Sequence, residues 1–199
     1  MLYLLLLLVI IVSPWTYKII GYNLILFILL FISSILIFKS PIKFLIIIFI
    51  LSSAFMLKDG FDTTLFNLSE EEIFRINERR SYYPLNLGKL FQNKLTESVY
   101  KFENNVFQNL DLNLYFFATH PRERLGINEF EKYYSITLPL FLIGFFIAIF
   151  KRKLFIYFIL GVLISAFLTS TLIIGPVLLY PFMNLSIVLG LKKVLDFRK

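Results

Sequence analysis

Long apolar runs separated by short basic segments are the feature that most restricts how this chain can fold. The runs cover residues 2–13, 19–38, 42–57, 135–150, 154–174 and 177–191. A helix needs about 20 apolar residues to cross roughly 30 Å of hydrocarbon, and the second and fifth runs are long enough. The third, fourth and sixth need flanking residues or a locally thinner bilayer. The pattern predicts an all-α membrane protein with about six transmembrane helices.

The first run is the weakest of the six. No Lys or Arg precedes its apolar residues, and no small-x-small cleavage site follows them, so it lacks two features of a secretory signal. We expect a short first span, with a cleaved or surface-lying segment as the alternative. Residues 14–18 then resemble an interfacial turn that holds Trp15 and Tyr17 at headgroup depth.

The placement of Lys and Arg predicts an orientation. Residues 58–134 carry ten basic and twelve acidic side chains, whereas the rest of the chain carries ten basic side chains and one acid, Asp196. The main basic clusters outside this block lie at Lys39 and Lys43, at 151–153 and at 192–199. In a six-span topology all of them fall on one side. Because cytoplasmic loops retain the excess of Lys and Arg, both termini are predicted to be cytoplasmic.

Three regions follow from this topology. Residues 1–57 are predicted to form three transmembrane helices, 58–134 a mostly helical extracytoplasmic loop, and 135–199 three further transmembrane helices with a basic cytoplasmic tail. The predicted location is the cell membrane, with membrane lipid as the immediate partner. Nucleic acid is not expected, because a nucleic-acid binder gathers its basic residues on a soluble face.

Composition restricts the chemistry as well. The chain has no Cys and a single His, which excludes disulfides, thiolate metal sites and histidine clusters. No ionisable residue lies well inside an apolar run, so the buried charges of proton relays and ion pathways are missing. Asn23 and Asn184 are expected to form hydrogen bonds between helices. We expect neither a metal site nor a cofactor.

The central loop carries its own helix signals. Ser69 and Glu72 fit a capping box, which predicts a helix over about 70–80 that ends near Arg79 and Arg80. A longer amphipathic helix is predicted from Leu87 to about Gln108. Its apolar stripe, expected to pack on the membrane face or on the shorter helix, is formed by Phe91, Leu95, Val99, Phe102 and Val106. Residues 112–117 form a short aromatic stretch in which apolar and polar residues alternate at the start, and we interpret them as extended.

The most polar irregular segment contains the best candidate site. His120, Arg122, Glu123 and Arg124 lie together there. Two guanidinium groups beside an imidazole can hold the phosphate of a lipid-linked substrate. A solvated turn with an internal Arg–Glu pair is the simpler interpretation. If His120 is a general base, it needs an orienting carboxylate.

Two acids just outside the third span form a second candidate. Asp59 and Asp62 have the spacing of a pair that can bind a divalent ion together with substrate oxygens. A membrane-exit turn, with Gly60 as its flexible point, explains the same residues more simply.

Part of the chain resembles a family of bacterial membrane enzymes. The residues concerned are 91–94, 114–117, Pro121 with Arg122, 138–144, and the closing segment 181–191. They resemble the late extracytoplasmic loop and the final spans of GT-C glycosyltransferase-like proteins, the dolichyl-phosphate-mannose mannosyltransferase-like group. That family places catalytic acids in a first outer loop, whereas here 14–18 contains none. The resemblance therefore implies no catalytic residue.

These patterns lead to a functional hypothesis with two alternatives. The leading hypothesis is a non-catalytic or accessory component near envelope lipid or polysaccharide assembly, whose ligand is a lipid-linked phosphate. One alternative is a minimal glycosyltransferase-like enzyme on a polyprenyl-phosphate-linked sugar, using Asp59, Asp62 or Glu123. The other is a structural subunit that binds a membrane protein partner through small-residue faces around Gly144 and Gly161.

Overall fold

The computed structural model describes residues 1–39, 41–58, 60–84, 87–117, 130–168 and 174–197. Within these ranges the chain is helical and forms no strand, apart from one isolated antiparallel bridge between Phe61 and Leu168. The all-α prediction is confirmed for this part of the chain.

Eleven α-helices are described here in chain order. They are α1 (Leu2–Val12), α2 (Pro14–Tyr22), α3 (Leu24–Lys39), α4 (Ile42–Leu57), α5 (Glu70–Ser81), α6 (Leu87–Phe91), α7 (Lys94–Leu110), α8 (Asn113–Phe116), α9 (Leu138–Ile149), α10 (Arg152–Ser165) and α11 (Tyr180–Asp196). Short 3₁₀ turns at Thr63–Leu65, Ser135–Thr137 and Val177–Leu179 precede or connect them.

Helix α11 lies at the centre of the fold. Its first eleven residues, 180–190, are all buried. Helices α1, α3, α9 and α10 contact it, so the apolar side chains of one helix are covered by four others. The central position explains why this helix tolerates no outward polar face over three turns.

The contact between α9 and α11 is unusually close because small residues line it. A Cβ atom at Gly144 would overlap the carbonyl oxygen of Ser186, and one at Gly190 would overlap that of Leu140. Gly144 with Ala148, and Ser186 with Gly190, place small residues four apart on each helix. Such spacing lets two backbones approach closely. Gly144 therefore packs against another helix of the same chain.

The N-terminal region is more divided than the apolar runs predict. Helices α1 and α2 meet at Ser13 with a bend of 72°. The run 19–38, predicted as one helix, is broken at Asn23, whose Oδ1 accepts hydrogen bonds from the backbone N–H groups of Ile25 and Leu26. Asn23 therefore caps α3, and the prediction that it bonds between helices was wrong. A helix end needs such acceptors because its first N–H groups have no partner within the helix.

In the central loop the helix signals are largely confirmed. Ser69 and Glu72 form the predicted capping box of α5. The longer helix is interrupted after α6, because Asn93 caps α7 by accepting from the backbone N–H of Thr96 at 3.0 Å. Residues 113–116 are helical as α8, so the extended interpretation was wrong.

Among the described residues, one helix is long and apolar enough to cross a membrane. It is Val177–Asp196, with 20 residues and a mean hydropathy of 1.4, and 78% of its apolar window is buried. The bent pair α1 and α2 adds a second if it is taken as one span, and three shorter apolar helices are present. The core helix of a soluble protein can have the same length and hydropathy.

Candidate functional site

The predicted site residues fall into two groups. His120, Arg122, Glu123 and Arg124 lie outside the described residues, as does Asp59. Asp62 is described, and so are the residues on both sides of the polar segment.

The two ends of the polar segment are held together at one place. The backbone carbonyl of Tyr115 accepts hydrogen bonds from the N–H groups of Lys132 at 3.0 Å and Tyr133 at 2.9 Å. The Tyr115 hydroxyl donates to the carbonyl of Asn109 at 2.6 Å, which ties this point to the end of α7. The described residues on either side of 118–129 are therefore held together by hydrogen bonds around Tyr115. We call this junction the base of the polar segment.

Trp15 packs against two residues of this junction, Tyr115 and Tyr133. Its indole ring contacts the rings of Tyr115, Tyr133 and Tyr180 edge to face, with centroid distances of 5.8, 5.9 and 5.6 Å. Such pairs stabilise by roughly 0.5–1.5 kcal/mol each beyond the area they bury. Trp15 is fully buried in protein and lies in α2, so the predicted turn at 14–18 is a helix. We refer to these four aromatic residues as the Trp15 cluster.

Hydrogen bonds fix the Trp15 cluster to distant parts of the chain. The Trp15 indole N–H donates to the carbonyl of Ile174 at 2.6 Å. The hydroxyls of Thr16 and Tyr180 bond to each other at 2.7 Å. The Tyr133 hydroxyl donates to Oδ1 of Asn184 at 3.0 Å, so Asn184 bonds to the end of the central loop and not, as predicted, to another helix. These contacts join the start of α2, the end of the central loop and the start of α11.

Burial also determines the protonation of two of these tyrosines. It raises the pKa of the Tyr115 hydroxyl well above its ordinary value, and the negative charge of Asp111 adds to the effect. The pKa of Tyr133 is raised well above its ordinary value too, mainly by burial. Both hydroxyls therefore stay neutral donors at physiological pH, as a structural role requires.

Two lysines bring positive charge to the same base. The Nζ of Lys132 lies 5.0 Å from the ring centroid of Phe130, and the Nζ of Lys18 lies 5.4 Å from it. Lys132 is buried as a residue, and its ammonium group donates to the carbonyl of Leu114 at 2.8 Å. Sequence analysis missed both lysines, because Lys18 and Lys132 are 114 positions apart and meet only through the fold.

Asp62 lies in a different place, in a polar cleft of about 430 Å³ on the central loop. Its Oδ1 accepts from the backbone N–H of Thr64 at 3.0 Å and from the Thr64 hydroxyl, so it caps the 3₁₀ turn. Gly60 has a φ of 139°, which makes it a turning point of the chain between α4 and the 3₁₀ turn. Asp62 is therefore a turn residue, as the simpler interpretation expects, and whether the turn lies at a membrane exit stays a prediction.

Glu72 and Lys101 form an ion pair in the same cleft. Nζ of Lys101 lies 2.9 Å from Oε2 of Glu72 and also donates to the carbonyl of Thr64 at 2.7 Å. The Lys101 hydrogen bond, followed by the backbone N–H of Ser69, lowers the pKa of Glu72 below its ordinary 4.5. This carboxylate is thus ionised at neutral pH, and its Oε2 connects α5 to Lys101 of α7.

Comparison with known proteins gives no family. No family model matches the chain, and neither a curated protein nor a solved structure matches it.

Proposed function

We propose that the chain is a multi-pass integral membrane protein. The observation that carries this proposal is that its peripheral helices expose large apolar side chains on their outward faces. Exposed residues include Leu4, Leu8 and Ile11 on α1, Leu24 and Ile28 on α3, Phe44, Ile47 and Ile50 on α4, Ile143 and Phe146 on α9, and Phe155 and Ile159 on α10. A soluble monomer rarely exposes so much apolar surface. Hydrocarbon is the environment that suits it.

In this proposal six helices span the bilayer: α1, α3, α4, α9, α10 and α11. Helix α2 connects the first two spans on the outer side. The contacts at Trp15–Ile174, Lys132–Tyr115 and Phe61–Leu168 bring together ends that the positive-inside rule places outside. The basic clusters lie at the opposite ends of the same helices. Helices α1, α9 and α10 have 11, 12 and 14 residues, and α3 and α4 have 16 each. These lengths correspond to about 17–24 Å of helix, so flanking residues and local thinning of the bilayer accompany this arrangement.

The role we propose is non-catalytic, as an accessory component near envelope lipid or polysaccharide assembly. Arg122 and Arg124, carried on a segment whose base holds Lys18 and Lys132, provide positive charge for a lipid-linked phosphate. The described carboxylates of Asp62 and Glu72 are engaged in capping and in an ion pair. These engagements favour a binding role over an acid–base role.

Binding of a polyprenyl phosphate to the purified protein tests this role. The double variant Arg122→Ala/Arg124→Ala should lower the affinity about tenfold or more, because charge-assisted hydrogen bonds to phosphate are lost. Arg75→Ala, an exposed position on α5, is the matched control. Equal binding by all three proteins would remove the headgroup site from the proposal.

The enzyme alternative is tested with the same material. Turnover of a lipid-linked sugar that is lost in Asp59→Asn, Asp62→Asn or Glu123→Gln would establish catalysis. The subunit alternative loses its sequence argument, because Gly144 packs on Ser186 and a Cβ at Gly161 would lie 2.8 Å from Cδ2 of Leu179. A stoichiometric membrane protein partner that co-purifies would restore it.

A further inference from the structure

An apolar cleft of about 260 Å³ lies between the end of the central loop and helices α9, α10 and α11. Its walls include Leu112, Phe141, Phe145 and Met183, together with the ring of Tyr115. The Trp15 cluster is therefore directly behind one wall. Of the described residues at the base of the polar segment, Lys18 and Lys132 do not line this cleft.

One side chain in the cleft has an unmet hydrogen bond. Asn109, in the last turn of α7, lines the cleft and is 5% exposed. Its side-chain Nδ2 has no hydrogen-bond partner among the residues that the structure describes. Most buried side-chain donors in proteins have a hydrogen-bond partner, and an unpaired one destabilises the fold. A leucine of similar size would avoid that cost, so an asparagine beside this cleft favours a ligand that brings an acceptor.

The opening of the cleft shows which ligands can reach it. Leu110 and Leu142 line the cleft and are each 39% exposed. Leu142 adjoins Ile143, and Phe146 follows one helical turn later, on the outward face of α9 that we assign to the bilayer. The entrance is therefore apolar and continuous with the surface proposed to face hydrocarbon.

We infer that this cleft binds one hydrocarbon chain of a lipid, with Nδ2 of Asn109 donating to the ester oxygen at the head of that chain. The inference rests on the proposed position in the bilayer. Apolar pockets with one or two placed polar groups are typical of ligand sites. An acyl ester of a phospholipid and the phosphate ester of a polyprenyl lipid both have this chemistry, and experiment can distinguish them.

The single tryptophan of the chain is a built-in reporter of occupancy. Trp15 is buried, and the Tyr115 ring that separates it from the cleft has its centroid 5.8 Å from the indole. A phospholipid with brominated acyl chains, titrated into detergent-solubilised protein, should quench Trp15 fluorescence in a saturable manner. Asn109→Leu should weaken the apparent affinity roughly tenfold, and Leu112→Phe should reduce it by filling the cleft. Asn113→Leu, exposed on α8, should leave it unchanged.

Further arms identify the lipid and separate the possible failures. Unbrominated polyprenyl phosphate that restores fluorescence assigns the cleft to lipid-linked phosphates, and restoration by phospholipid alone assigns it to bulk lipid. Lipid-free Asn109→Leu should unfold at the same temperature as the wild type or above it, which excludes misfolding. Absence of saturable quenching, or equal quenching in both cleft variants, overturns the inference. Release of the wild type from membranes by alkaline carbonate would instead overturn the proposed membrane location.

Discussion

The indole nitrogen of Trp15 donates a 2.6 Å hydrogen bond to the carbonyl oxygen of Ile174, which lies 159 residues further along the chain. With the three tyrosine rings around it, this contact joins the N-terminal helices to the start of α11 and to the base of the polar segment. The Trp15 cluster is the point at which these three regions meet.

Trp15→Phe should destabilise the protein by about 2–3 kcal/mol, because it leaves a cavity and an unpaired carbonyl at Ile174. Thermal unfolding in detergent, followed by circular dichroism, measures the effect. Tyr17→Phe is the matched control, since Tyr17 is 61% exposed, and it should change stability by no more than about 0.5 kcal/mol. Equal effects of the two substitutions would contradict the role of the cluster.

Gly144→Ala should destabilise the protein by about 1–3 kcal/mol, because the new methyl group forces α9 away from Ser186 on α11. Gly21→Ala provides an internal comparison, since a Cβ there meets no atom within 4 Å. The second substitution should be neutral or stabilise by about 0.5 kcal/mol through helix propensity. A tolerated Gly144→Ala would show that the two helices are further apart than described.

The capping and packing of these helices were predictable to different degrees. Ser69 and Glu72 are three positions apart, so their capping box is local and sequence analysis found it. Sequence analysis noted Asn23 as a polar residue in an apolar run. Hydropathy does not show that its side chain caps the backbone N–H groups at the start of α3. The break of the second run was therefore missed.

The site was less predictable than the fold. The Trp15 cluster and the Lys18–Phe130–Lys132 group bring Trp15 and Lys18 against residues 100 or more positions further along the chain, and no spacing rule connects them. The stripe on α7 was recognised, yet only its second half packs inward. The ring centroids of Phe102 and Phe167 are 4.7 Å apart, whereas the Leu95 side chain is 73% exposed. Periodicity identifies the stripe but not what covers each turn.

Stability should fall in acid partly through Glu72. Its pKa is lower in the folded protein than the ordinary 4.5, so its ion pair with Lys101 contributes above that value and is lost as pH falls through the folded pKa. We expect Glu72→Gln to cost no more than about 1 kcal/mol at neutral pH and to lose less stability than the wild type on acidification below pH 4.5. Unfolding temperatures across this range, with Glu71→Gln as control, measure the difference. Parallel acid profiles for wild type and Glu72→Gln would contradict it.

Asp62 separates structural from catalytic roles. Asparagine also caps helical turns, so Asp62→Asn should keep the stability of the wild type, whereas Asp62→Ala should lose about 1 kcal/mol. Binding of polyprenyl phosphate should be the same in both variants. An Asp62→Asn protein that is stable yet loses a measurable turnover would favour the enzyme alternative.

Cysteine accessibility tests the central claim, a multi-pass protein with residues 58–134 outside the cell membrane. The chain has no native Cys, so each introduced cysteine is the only thiol of the chain that can react with the maleimide. Ser81 at the end of α5 and Arg152 at the start of α10 are both exposed. A membrane-impermeant maleimide should modify Ser81→Cys in intact cells and Arg152→Cys only after permeabilisation. Modification of Arg152→Cys in intact cells, with Ser81→Cys protected, would contradict the account.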